Sequence, residues 1–268
     1  FAILPMLGRE LQLDKLVFHI PFFNLDVQPK ELAITSLSAL TAFVFFIVAP
    51  KWGRLSDRWG RKPLIILGLF GYVIGTLLFN AVAQLGLSGV LLGVPLFILL
   101  IISRAFHAVI MTPTHPASAA YMVDVTTVHE RTKGMGKLQA FNQIGVMVGP
   151  ALAWFVTLSY LAPLYIQAGV SLIVGVLVWR YLPPIAASNS SGKKLPKLSY
   201  FDPRYRVYIA IGFTIFSLLG MVQQTLGFYY QDILGVDGKR AAQLFSTAMV
   251  ISSISVLLAQ LLVVRRYS

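Results

Sequence analysis

Apolar stretches of about 20 residues, enough for a helix to cross a roughly 30 Å hydrocarbon core, recur along the whole chain, separated by short clusters of charge, Gly and Pro. They predict spans near 32–50, 64–85, 93–123, 136–158, 162–181, 206–229 and 241–264. The opening run FAILPML is too short to span. It starts at Phe1 without the basic start or small-residue cleavage site of a signal peptide, so it reads as the outer end of a first span begun upstream. Arg265, Arg266 and Ser268 close the chain just after the last span. Long runs such as Leu92 to Ile102 do not alternate in polarity, which excludes a β-barrel. The expected fold is all-α: a polytopic membrane helical bundle with about seven complete spans plus part of the first.

Composition agrees with lipid as the solvent: 57% of residues are hydrophobic, 12% are charged, and mean hydropathy is +0.75. The formal charge of +12 is a vector across the membrane rather than a uniform excess. Alternate connections carry sixteen of the 22 basic residues, whereas those on the opposite side carry five, Arg9, Lys15, Lys30, Lys239 and Arg240. The basic side is the expected cytoplasmic side. Spread over loops in this way, the basic residues form no helix-turn-helix, finger or aromatic sheet pattern, which argues against nucleic acid as a partner. With no cysteine in the chain, disulfides, thiolate metal sites and Cys nucleophiles are excluded. The segment Pro183 to Pro203, rich in Ser, Pro and Lys, reads as a flexible linker. It divides the chain into an N-terminal six-helix half at 1–182, a cytoplasmic linker at 183–205, and the start of a second half at 206–268.

Between the spans at 32–50 and 64–85 stands Gly53-Arg-Leu-Ser-Asp57-Arg58-Trp-Gly60-Arg61-Lys62-Pro-Leu. A tight turn uses glycines, and one carboxylate among cations can hold neighbouring helix ends by charge-assisted hydrogen bonds. The run resembles, almost position for position, the G-x-L-x-D-R-x-G-R-K loop signature of the major facilitator superfamily. That resemblance implies a cytoplasmic latch in which Asp57 and Arg61 act with an acidic residue closing the fourth span, a position matched by Asp124.

The run Gly136, Gly145, Gly149-Pro150 is similar to the superfamily's antiporter signature, G-x(8)-G-x(3)-G-P, with Ala153 and Trp154 where the pattern continues with glycines. Gly145 and Gly149 lie one turn apart on one face, which permits close approach of a second helix, and Pro150 removes a backbone hydrogen bond. The resemblance implies a hinge for alternating access.

Arg104 is the one charged residue placed inside a span away from its ends, and an intramembrane Arg is costly enough to point to function. It resembles the family's R-x-x-Q-G motif, with His107 and Ala108 at the Gln and Gly positions. Helical spacing puts Arg104, His107, Met111 and His115 on one stripe, a candidate cavity wall and proton-coupling site. Both histidines either titrate or merely hydrogen-bond neighbouring helices. Gln223, Gln224, Phe228 and Tyr229 suit either a substrate cavity or an aromatic belt at the membrane interface. None of the ten Asp and Glu residues falls inside a predicted span.

No nucleophile elbow, phosphate loop or metal-ligand spacing is present, so no enzyme, metal or cofactor is expected. The expected function is export of a small organic compound, such as a drug, a siderophore or a metabolite, by proton antiport. The expected setting is the inner (plasma) membrane, with protons and lipid as the other partners and a monomer at full length. Alternatives are a sugar or metabolite importer or uniporter of the same superfamily, and a truncated membrane protein that does not transport.

Overall fold

A computed structural model of the chain describes residues 3–20, 25–28, 30–185 and 206–267. It is a helical bundle of α1 (Leu4–Glu10), α2 (Glu31–Trp59), α3 (Arg61–Leu87), α4 (Gly93–Met111), α5 (Thr114–Val125), α6 (Arg131–Ala151), α7 (Ala162–Tyr181), α8 (Arg206–Leu234) and α9 (Gly238–Tyr267). A short antiparallel ladder, β1 (Phe18–Ile20) with β2 (Leu25–Val27), interrupts the connection from α1 to α2. Most of the predicted linker, 186–205, lies outside the described residues.

Among the described residues, five segments are long and apolar enough to cross a membrane: α2, α3, α4 with α5, α7 and α8. The expected count was about seven. The predicted spans at 136–158 and 241–264 do form helices, α6 and α9, but both are more polar than the rest. Their positions explain this: the two pack on one another and border an internal cavity rather than lipid alone. On the outside of the bundle, Phe43, Phe46 and Trp179 are more than 60% exposed, as side chains solvated by acyl chains are.

Two expected elements change shape. The span predicted at 93–123 breaks at Thr112–Pro113, because Pro113 cannot donate to the helical ladder, and the chain restarts as α5. Conversely, the motif expected as a loop is largely helical. α2 continues through Pro50 and Gly53 to Trp59, and the reversal into α3 falls on Gly60 alone, at φ +93°. That left-handed conformation is nearly free of strain only for glycine. The indole of Trp52 donates to the Val109 carbonyl at 3.0 Å, tying the extended part of α2 to α4.

α3 is the central helix, packed on α4, α5 and α7. Its glycines Gly68, Gly71 and Gly75 form a stripe at helical spacing that meets Thr114, Ile110 and His107. A Cβ built at Gly71 would stand 2.7 Å from the Ile110 carbonyl oxygen, and one at Gly75 would stand 2.7 Å from the His107 ring. Only missing side chains allow so close an approach, the usual way helices associate in lipid. The main apolar core forms where α1 and α2 meet α3 and α4, around Leu7, Ile34, Leu37, Phe79, Leu96 and Leu100, and it receives Phe228 from α8.

Candidate functional site

Three sites emerge from this packing: a cavity inside the bundle and an ionic cluster at each of its ends. The cavity, about 420 Å³, is bounded by α1, α3, α4, α6, α7, α8 and α9, so residues on both sides of the 186–205 segment build it. Among the described residues its wall is apolar apart from Arg104, Gln167 and Gln223. Arg104 is half-buried, donates from Nε to Thr41 Oγ1 at 3.0 Å, and carries its guanidinium 5.5 Å from the centre of the Phe79 ring. The ring face attracts the cation and helps offset its desolvation.

The predicted polar stripe on α4 and α5 does not stay together. Arg104 borders the cavity, but His107 points into α3, 95% buried, with its ring 4.9 Å from Tyr72. Gly75 is the reason, since its missing side chain leaves the space the imidazole fills. His115 lies past the Pro113 break, is exposed, and meets Phe45 of α2 edge-on at 6.0 Å. Of the four candidates on α8, Gln223 lines the cavity and Gln224 does not. Phe228 is core, and Tyr229 is exposed beside Tyr230.

Gly145 and Gly149 also border the cavity. A Cβ built on Gly136, Gly145 or Gly149 meets no described atom within 4 Å, so the close helix contact expected there is absent among the described residues. Instead Gly145 and Gly149 widen the cavity. Two residues past Pro150 the α-helix gives way to a 3₁₀ segment, Leu152–Thr157. Pro150 has no N–H for the α-helical ladder, which accounts for a weakened turn at this point.

At the basic end, Arg61 stands between two carboxylates. Its Nε donates to Asp124 at 2.8 Å, and Nη1 reaches Asp57 at 2.6 Å and the Ser56 hydroxyl at 2.6 Å. The three charged groups singled out by the motif therefore meet, joining α2, α3 and α5. Arg58 is exposed, and Gly53 packs near Pro116. Lys62 follows Arg61 in the first turn of α3.

At the opposite end, Arg9 of α1 donates from Nη1 and Nη2 to both oxygens of Asp232 on α8, at 2.8 and 3.2 Å. Nη2 also reaches Glu31 at the start of α2, at 3.1 Å, and the guanidinium lies 5.0 Å over Phe228. Its hydrogen bonds to the Asp232 and Glu31 carboxylates raise the Arg9 pKa further, so it stays charged at any physiological pH. Close beside it, Lys239 of α9 sits 5.1 Å from the Tyr160 ring, and burial, with the Glu10 charge, pushes the Tyr160 hydroxyl pKa up. Pro5 packs on Gly227 and Met6 on Gly238. Sequence reading did not connect Arg9 with Asp232, which are 223 positions apart. Gln167 was also missed, although a single amide in an otherwise apolar span is a legible signal.

Across residues 1–268 the chain matches the sequence profile of the Major Facilitator Superfamily. It is 30% identical over 161 residues to Multidrug resistance protein 2 of Bacillus subtilis, covering 57% of this chain and 37% of that protein. Similarity to the Triacylglyceride transporter of Mycolicibacterium hassiacum is 24% over 220 residues, 80% of this chain and 36% of the relative. For the Tetracycline resistance protein, class C, of Escherichia coli the figures are 26% over 204 residues, 74% and 45%. The chain thus spans between a third and a half of the length of these curated relatives.

Proposed function

Because the chain belongs to the Major Facilitator Superfamily, we propose that the protein exports a small organic compound in exchange for protons, by alternating access between two half-bundles. Residues 1–182 make the first half, 183–205 link it, and 206–268 begin the second. The observation that carries this reading is the cavity, because α8 and α9 close a wall that α1, α3, α4, α6 and α7 begin. A site shared by two rigid groups is the arrangement in which rocking one against the other changes access. Relatives named for multidrug and tetracycline resistance support a drug-like cargo and a place in the bacterial inner membrane.

The two ionic clusters take different parts in this cycle. Arg61 braces α2, α3 and α5 within one half, so it stiffens a body that moves as a unit. Arg9 and Asp232 bridge the halves and hold the end opposite the basic loops closed. Partly exposed ion pairs are worth about 1 kcal/mol or less, which is weak enough to break and remake during transport. In the hinge reading, Gly136, Gly145, Gly149 and Pro150 let α6 bend as the halves rock, above the 3₁₀ turn.

Everted vesicles carrying the full-length protein are expected to release protons when an exported compound is added, read as recovery of a quenched acridine dye. Silence across a broad panel, in vesicles where a known antiporter responds, would remove the antiport reading. A separate measurement tests the gate. This chain has no cysteine, so in the full-length protein, with any cysteine outside it replaced by serine, a single Met249→Cys in the cavity wall can be labelled with a membrane-impermeant maleimide from the outer side. Adding Asp232→Asn is expected to speed labelling severalfold, and adding Asp124→Asn to change it much less. Equal labelling with and without Asp232→Asn overturns the gate assignment.

A further inference from the structure

We propose that the cavity is built for an organic anion, an amphiphile with one carboxylate-like head on an apolar body; this rests on the export reading and names its substrate class. Arg104 is the only ionisable residue among the described residues lining the cavity. Among the described residues its one hydrogen bond uses Nε, toward Thr41, and no carboxylate comes within ion-pair distance of it. Glu31 and Asp232 already face Arg9, while Asp57 and Asp124 face Arg61. A guanidinium held in a low-dielectric wall without a counter-charge is costly, and an incoming anion removes that cost.

The geometry fits such a head group. With Nε committed to Thr41, the two Nη nitrogens remain as a planar fork, the arrangement that grips a carboxylate with two parallel hydrogen bonds. Gln167 and Gln223 add neutral amides, and Leu4, Phe79, Phe245 and Met249 supply apolar surface for the body of the ligand. A cationic drug entering the same space would meet Arg104 with no carboxylate among the described lining residues, so this part of the wall discriminates by repulsion as well as attraction.

The test uses two fluorescent amphiphiles of matched shape and opposite charge, pyrenebutyrate and the corresponding pyrenebutyl-trimethylammonium. Both are titrated onto the purified full-length protein in nonionic detergent, with protein-free micelles as the blank. Wild type is expected to bind the carboxylate roughly tenfold tighter than the ammonium, a modest figure for one charged contact. Arg104→Gln should abolish the preference and Arg104→Lys should keep part of it. The inference is overturned if wild type binds the ammonium equally or better, if Arg104→Gln leaves the preference intact, or if neither probe binds saturably. Proton release by the same probes in everted vesicles separates the two readings. An anion-selective protein that releases no protons with either probe or across the broad panel upholds the substrate class and sinks export by antiport, whereas proton release driven by the ammonium alone does the reverse.

Discussion

Arg104→Gln in the full-length protein is expected to abolish export while leaving the fold intact or slightly more stable. The two halves of that expectation come from one cause. Arg104 is the single charge among the described residues of the cavity wall, held by one hydrogen bond to Thr41 and by the Phe79 ring. Its desolvation is a standing cost to the folded state, and replacing an incompletely compensated buried charge is often neutral or stabilising. Function depends on that same charge, because truncating one partner of a buried charged contact costs roughly 2–5 kcal/mol in binding. That corresponds to at least a tenfold loss of transport at limiting substrate. Cells expressing the variant should show wild-type protein levels, an unchanged or raised melting temperature, and susceptibility equal to cells without the gene. A melting temperature well below wild type would mean that Arg104 holds the helices together, and full resistance would mean that the cavity is not the transport site.

The sequence made some of this architecture legible and hid the rest for physical reasons. Spans bounded by charge clusters are visible because lipid demands long uninterrupted apolar helices, and α2, α3, α7 and α8 lie where the hydropathy places them. The meeting of Asp57, Arg61 and Asp124 was readable because the motif names its partners. In contrast, the direction of His107 is set by a missing side chain on another helix, Gly75, and nothing local to α4 reports it. Periodicity also runs unbroken through Thr112–Pro113, so the apolar pattern gives one helix where the lost amide donor makes two. The helical stretch from Gly53 to Trp59 is the converse case, because residues typical of turns continue a helix already nucleated upstream. Arg9 and Asp232 carry no local signature, since exposed charges near helix ends are ordinary until the fold brings two of them together.

Gly71→Val should have the opposite profile to Arg104→Gln, with the bundle lost and transport lost only as a consequence. Gly71 faces α4 so closely that a new Cβ would stand 2.7 Å from the Ile110 carbonyl oxygen and 3.0 Å from its carbon. A flexible side chain could rotate away from such a contact, but a backbone carbonyl in the last turn of α4 cannot move without shifting that end of the helix. Overpacking typically costs about 1–3 kcal/mol, and Val adds two methyl groups beyond the clashing Cβ. The displaced segment carries both Ser103 and Arg104, so a shift also moves the charge in the cavity wall. Purified Gly71→Val is therefore expected to melt well below wild type and to accumulate poorly in membranes. Gly145→Ala serves as the control, because a Cβ there meets nothing within 4 Å. It should melt with wild type. If both variants melt alike, α3 and α4 are not held by the glycine stripe, and the close approach that turns His107 toward Tyr72 and leaves Arg104 facing the cavity has some other cause.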